Sequence, residues 1–124
     1  MSIISSRTLA GQWAYAGDGR TMKLSKTYTF LSDGTFVLET IYSALPGSAK
    51  EPLPGDVATG KWDTASRDLI LVREHSRRPG APDDPWVSVT KVEAKLSADG
   101  KQLVLAGEDG DCPTGNCTRT YTRQ

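Results

Sequence analysis

Between residues 21 and 31 the side chains alternate with period two, Met22, Leu24, Tyr28 and Phe30 on one side and Lys23, Ser25, Thr27 and Thr29 on the other. Such alternation predicts a half-buried β-strand. An Asp33-Gly34 turn follows, and Phe36, Leu38, Thr40 and Tyr42 then alternate with Val37, Glu39 and Ile41. The two segments therefore read as a hairpin. An earlier strand over residues 9–16 carries Trp13 and Tyr15 on one face, and Gly17, Asp18 and Gly19 turn the chain after it. Residues 57–63 and 68–74 form a second hairpin, in which the run Leu69-Ile70-Leu71-Val72 leaves the inward face open. From Trp86 to Leu96 the set Trp86, Ser88, Thr90, Val92, Ala94 and Leu96 is expected inside, because the opposite set ends in Lys91, Glu93 and Lys95. Residues 102–106 and 118–123 complete eight predicted strands.

Connections alternate in length. Ser32-Asp33-Gly34, residues 64–67 and residues 97–101 are tight, whereas 43–56, 75–85 and 107–116 are long. In an up-and-down meander successive connections fall at opposite ends, so the long ones gather at one mouth and the tight ones at the floor. The fold class expected is all-β, an eight-stranded antiparallel up-and-down meander barrel. Residues 1–124 form a single domain, too short for two cores. Two fragments recur, Leu31-Ser32-Asp33-Gly34 against Leu96-Ser97-Ala98-Asp99-Gly100, and they read as shared turn chemistry rather than duplication.

Composition agrees with a turn-rich β domain. Twelve Gly and seven Pro accompany a hydrophobic share of 37%. Fifteen basic residues balance fifteen acidic ones, which makes nucleic acid and anionic membrane surfaces poor partners. No apolar run approaches the roughly 20 residues of a membrane-spanning helix, so no membrane span is expected and the chain is expected to be soluble. Its location is expected to be periplasmic or secreted if a leader has been removed, and cytoplasmic otherwise. Cys112 and Cys117 bracket the turn-forming Pro113-Thr114-Gly115-Asn116, which favours a disulfide worth about 2 kcal/mol and an oxidising compartment.

Candidate chemistry is sparse. His75, the sole histidine, borders a strand and a loop beside Glu74, and a solvated histidine is the expectation for it. Cys112 and Cys117 with one distant histidine lack metal-site spacing, and no phosphate-cradling loop or serine elbow appears, so no metal, no cofactor and no enzymatic activity are expected. The last strand is more informative: Cys117, Arg119, Tyr121 and Arg123 share one face. If that face is interior, a ligand carboxylate would suit the guanidinium and phenol. Two other arrangements are open: the threonines inside, or an arginine stacked on Trp13 to close the floor.

The Gly11-Gln12-Trp13 opening, followed by consecutive hairpins, resembles the lipocalin and fatty-acid-binding-protein (calycin) superfamily, and more closely the short bacterial lipocalin-like domains. The resemblance implies that Trp13 packs across the closed end under a basic residue of the last strand, Arg123 or Arg119. Cys117-Thr118-Arg119-Thr120-Tyr121 is also similar to the last strand of fatty-acid-binding proteins, whose Arg and Tyr hold the ligand carboxylate. Residues 17–20 leave no room for the helical lid of that family. The function expected is binding of a small hydrophobic or amphipathic ligand, a fatty-acid-like or aromatic acid, inside the barrel. Arg119, Tyr121, Tyr42, Trp86, Tyr28, Met22 and Leu38 are the candidate contacts. The alternative expectation is a side-chain-filled barrel acting as a protein-interaction or inhibitor/immunity-type factor, with Arg77, Arg78, Asp83 and Asp84 in its mouth loops contacting the partner.

Overall fold

A computed structural model describes residues 9–18, 22–44, 55–65, 67–77, 88–107 and 118–124. Eight strands, β1 (Gly11–Asp18), β2 (Met22–Phe30), β3 (Thr35–Ala44), β4 (Asp56–Ala65), β5 (Asp68–Arg77), β6 (Ser88–Leu96), β7 (Gln102–Ala106) and β8 (Thr118–Arg123), pair antiparallel in chain order, and β8 returns to β1. The result is the closed meander barrel that the alternation predicts. Among the described residues no helix is long and apolar enough to cross a membrane.

Period two decides what is inside. Trp13, Tyr28, Phe30, Phe36, Leu38, Trp62, Leu69, Val92, Leu103 and Tyr121 are buried in one core, while Lys23, Glu39, Lys61, Glu93 and Lys95 from the intervening positions are exposed. The open question of β5 resolves by register. Leu71 pairs with inward Trp62, and Ile70 and Val72 cover the outer wall half-buried.

The floor gathers the tight turns. Trp13 donates its indole N–H to the Leu9 carbonyl at 2.9 Å, and Trp62 donates to the Leu31 carbonyl at 3.0 Å. The Arg123 guanidinium lies 4.2 Å over the Trp13 ring and donates to the carbonyls of Gly100 and Ala10. Of the two basic residues that could cover Trp13, Arg123 does so, because it faces Trp13 directly across the β1–β8 ladder.

Two turns share one device. The Asp33 carboxylate accepts from the hydroxyl and backbone N–H of Thr35, and the Asp99 carboxylate accepts from the Ser97 hydroxyl and the Lys101 N–H. These bonds hold both carboxyls below the ordinary value of 3.8, the side-chain hydroxyl being the largest cause in each. A lowered carboxylate contributes stability that is fully present above its unfolded-state value and is lost as pH falls through the folded-state value. The urea midpoint is therefore expected to drop below about pH 4, and the double variant D33N/D99N to flatten that limb of the profile. An unchanged acid limb in the variant would assign it to other carboxylates.

Candidate functional site

The barrel interior divides into an apolar floor and a polar mouth half. Lys26, Thr40 and Arg119 are the buried polar side chains among the described residues, with 6%, 6% and 4% of their surfaces exposed. Lys26 stands in the ladder between Tyr15 of β1 and Thr40 of β3, and Thr40 in turn faces Asp56 of β4. Arg73 of β5, half-buried, lies between Gly60 of β4 and Ser88 of β6.

Lys26 and Arg73 meet across a cavity of about 20 Å³, whose wall also includes Tyr28, Thr90, Phe36 and Leu71. That volume holds about one water molecule. Pre-formed sites for drug-sized ligands run to about 300 Å³ or more, so the floor half offers no space for a long acyl chain. Below the cavity the rings are packed on one another: Tyr28 stacks on Phe30 at 5.2 Å and meets Tyr121 at 5.3 Å, and Phe30 meets Trp62 at 5.0 Å.

Arg119 lies along the β1–β8 seam. The ladder between these strands comprises Trp13 with Arg123 and Ala14 with Thr122, both at the floor. Toward the mouth, side chains carry the contact in place of the ladder: the Tyr15 ring lies 5.7 Å from the Tyr121 ring and 5.7 Å from the Arg119 guanidinium. Gly17 makes room for this, because a Cβ there would run into the Tyr15 phenol. Arg119 faces Leu105 on β7 near the mouth end of β8, two inward positions above Arg123. It is thus part of the mouth half, correcting any placement of Arg119 at the floor. Lys26, Arg73 and Arg119 all have interactions within the folded chain, so an incoming ligand would exchange contacts with them rather than fill empty valences.

The sequence-derived candidates separate accordingly. Tyr28 borders the cavity, Tyr42 is half-buried beside Leu24 toward the mouth, and Leu38 and Tyr121 belong to the packed core. Met22 pairs with Ala44 at the mouth end of β2, and its side chain lies outside the described residues. Trp86, Arg78, Asp83, Asp84, Cys112 and Cys117, and with them the proposed disulfide, also lie outside the described residues.

Lys26 and Arg73 did not figure among those candidates. Their signal was nevertheless in the alternation: Lys26 sits on the same side as Leu24, Tyr28 and Phe30, and Arg73 continues Leu69 and Leu71.

The far end of β5 departs from expectation. His75, Ser76 and Arg77, which read as the start of a loop, extend the strand. The register shifts between Thr59 and Gly60, so that Arg73 faces Gly60 while His75 faces Thr59, with Glu74 as the extra residue. His75 and Arg77 are consequently exposed on the outer wall, where they border an open depression of about 330 Å³ with Val57 and Thr59. Comparison of the chain with known protein families and with curated proteins finds no match in either.

Proposed function

We propose that the barrel binds a small amphipathic acid, aromatic or short-chain, with its carboxylate in the mouth half and its apolar part toward the mouth. The observation that carries this is Lys26 and Arg73 on the wall of one cavity with Thr90, together with the burial of Thr40 and Arg119 in the same half of the barrel, above a filled apolar floor. Lys26 and Arg119 are buried and Arg73 half-buried, and cationic groups withdrawn from water favour an anionic partner. Guanidinium groups suit a carboxylate because they present paired N–H donors and stay charged. The likeness of the opening strand to lipocalins is supported by Trp13 lying under Arg123. The filled floor favours a compact acid over a long fatty acid.

Titration with benzoate and octanoate, each against its amide, tests the reading. Carboxylates are expected to saturate and amides to bind at least about tenfold more weakly, the equivalent of one charge-assisted hydrogen bond. Arg119→Gln is expected to remove about tenfold from carboxylate affinity while leaving the amides unaffected. Equal losses for acid and amide would make Arg119 structural.

A second reading, a protein-interaction surface, has its own support. Val89 and Ile41 stand 68% and 60% exposed on the outer wall, and the exposed Arg77 lies on that wall too. Retained partner binding by a variant with Arg77 changed to Ala, together with no response to any acid, would favour neither barrel ligand nor the Arg77 surface.

A further inference from the structure

Without the bulge at Glu74, His75 and Arg77 would continue the inward set of Leu69, Leu71 and Arg73. The extra residue turns both to the outer wall, and re-aiming side chains is a recurrent use of such bulges. The ladder sets their new neighbours: His75 faces Thr59, and Arg77 faces Val57. Side chains two apart on one face of a strand stand about 7 Å from each other, and strands lie about 5 Å apart, so the four form one block. The open depression they border, about 330 Å³, is far larger than the one-water cavity inside and reaches the lower end of the roughly 300–1,000 Å³ of small-molecule sites. Exposed Lys61 follows Thr59 on the same face of β4. The acidic neighbours are Glu74, half-buried at the bulge, and Glu39, which faces Val57 from β3 on the side away from Arg77. Negative charge is therefore drawn toward Arg77, and Val57 is left to an uncharged group.

We propose that this outer-wall depression binds a phosphomonoester, with the phosphate on Arg77, Thr59 and His75 and the organic substituent over Val57. The proposal is independent of the acid-binding reading of the interior. A phosphomonoester carries about −1.5 to −2 charge at neutral pH and three strong acceptor oxygens, so it can meet donors from more than one side. The Arg77 guanidinium presents paired N–H donors that match two of those oxygens and stays charged. The Thr59 hydroxyl and the His75 ring stand on the adjoining wall. His75 has an interaction within the folded chain, which an incoming phosphate would exchange, so Arg77 is the anchor. In so open a site little apolar surface is covered, and charge with donor count favours phosphate over carboxylate.

The test titrates the ¹⁵N-labelled chain with phenyl phosphate, inorganic phosphate, phenol and benzoate. Phenyl phosphate is expected to shift Val57, Thr59, His75 and Arg77 saturably, at least about tenfold more tightly than benzoate acts on those residues, and phenol to leave them unmoved. Inorganic phosphate should act on the same residues several-fold more weakly, since it leaves Val57 uncovered. Arg77→Gln is expected to weaken phenyl phosphate about tenfold. Arg67→Gln, which removes the same charge from an exposed turn before β5, should leave its affinity unchanged. Equal losses in the two variants would reduce the effect to net charge and overturn the proposal. Equal affinity for phenyl phosphate and inorganic phosphate would overturn the part assigned to Val57. No response of the wall to phenyl phosphate, with benzoate saturating at Lys26, Arg73 and Arg119, would sink the phosphate site and leave the acid-binding reading of the interior intact.

Discussion

Gly60→Ala is expected to destabilise the barrel by about 3 kcal/mol or more, or to prevent it folding, a severe effect for the addition of one methyl group. A Cβ on Gly60 would fall on the Val72 carbonyl, and the next nearest atoms are the Val72 carbonyl carbon at 2.9 Å and the Arg73 Cα at 3.0 Å. All are backbone atoms of the paired strand, which cannot swing aside as a long side chain would. The glycine is needed because β5 bulges against it: Arg73 and Glu74 occupy the space of one residue opposite Gly60. The bulge changes the phase of the strand. Before it Leu69, Leu71 and Arg73 lie on the inward set; after it Ser76 faces inward Ala58, and His75 faces outward Thr59. The Gly60 substitution therefore threatens the position of Arg73 at the cavity as well as the wall. Gly34→Ala is the control, because a Cβ there meets nothing within 4 Å and only its φ of +91° is unfavourable. About 1–2 kcal/mol is expected for it. Both changes reduce the freedom of the unfolded chain equally, so the difference in urea midpoints reports the collision at Gly60 less the backbone strain at Gly34. Equal midpoints would mean that the two strands separate at the bulge for no more than the strain at Gly34.

Trp13→Ala is expected to cost about 3–5 kcal/mol, in the range for truncating a fully buried aromatic. Trp13 has no exposed surface, bonds the Leu9 carbonyl, and supports the Arg123 guanidinium at 4.2 Å. Arg123 in turn ties three pieces of chain together at the floor, donating to Gly100 at 3.0 Å and Ala10 at 3.1 Å while its backbone N–H reaches Lys101. Arg123→Ala is expected to lose about 2–3 kcal/mol, from the ring contact and from carbonyls deprived of a charged donor. A double-mutant cycle of Trp13→Ala and Arg123→Ala should show coupling of about 1–2 kcal/mol, measured by urea unfolding. Additive losses would show that the guanidinium earns its stability from the carbonyls and not from the ring.

These two sites also mark where sequence reading reached and where it stopped. The faces of β2, β3 and β6 were legible because a sheet with one wet side leaves a period-two record, as in Phe36, Leu38, Thr40 and Tyr42. β5 was opaque along Leu69-Ile70-Leu71-Val72, since the outer wall of a small barrel half-buries Ile70 and Val72 and erases the contrast. Its last three residues, His75, Ser76 and Arg77, were misread as loop for another reason: the bulge at Glu74 moves the alternation by one residue, so they do not continue the faces set before it. The choice between Arg119 and Arg123 as the cover of Trp13 depended on how β8 closes on β1, a pairing between chain ends that no local pattern encodes. Lys26 was legible in principle. A charged residue on the side of Leu24, Tyr28 and Phe30 breaks the apolar set, and such breaks are where a sequence departs from packing toward function.

The separation of an apolar, filled floor from a cation-bearing mouth half is the center of this account, and a titration of the ¹⁵N-labelled chain with benzoate tests it most directly. Saturable shifts are expected at Tyr15, Lys26, Thr40, Arg73, Thr90 and Arg119, with benzamide producing none at the same concentration and the amides of Phe30, Trp62 and Leu103 unmoved. Shifts confined to the outer wall around His75 and Arg77, or benzoate and benzamide perturbing the same residues alike, would contradict it.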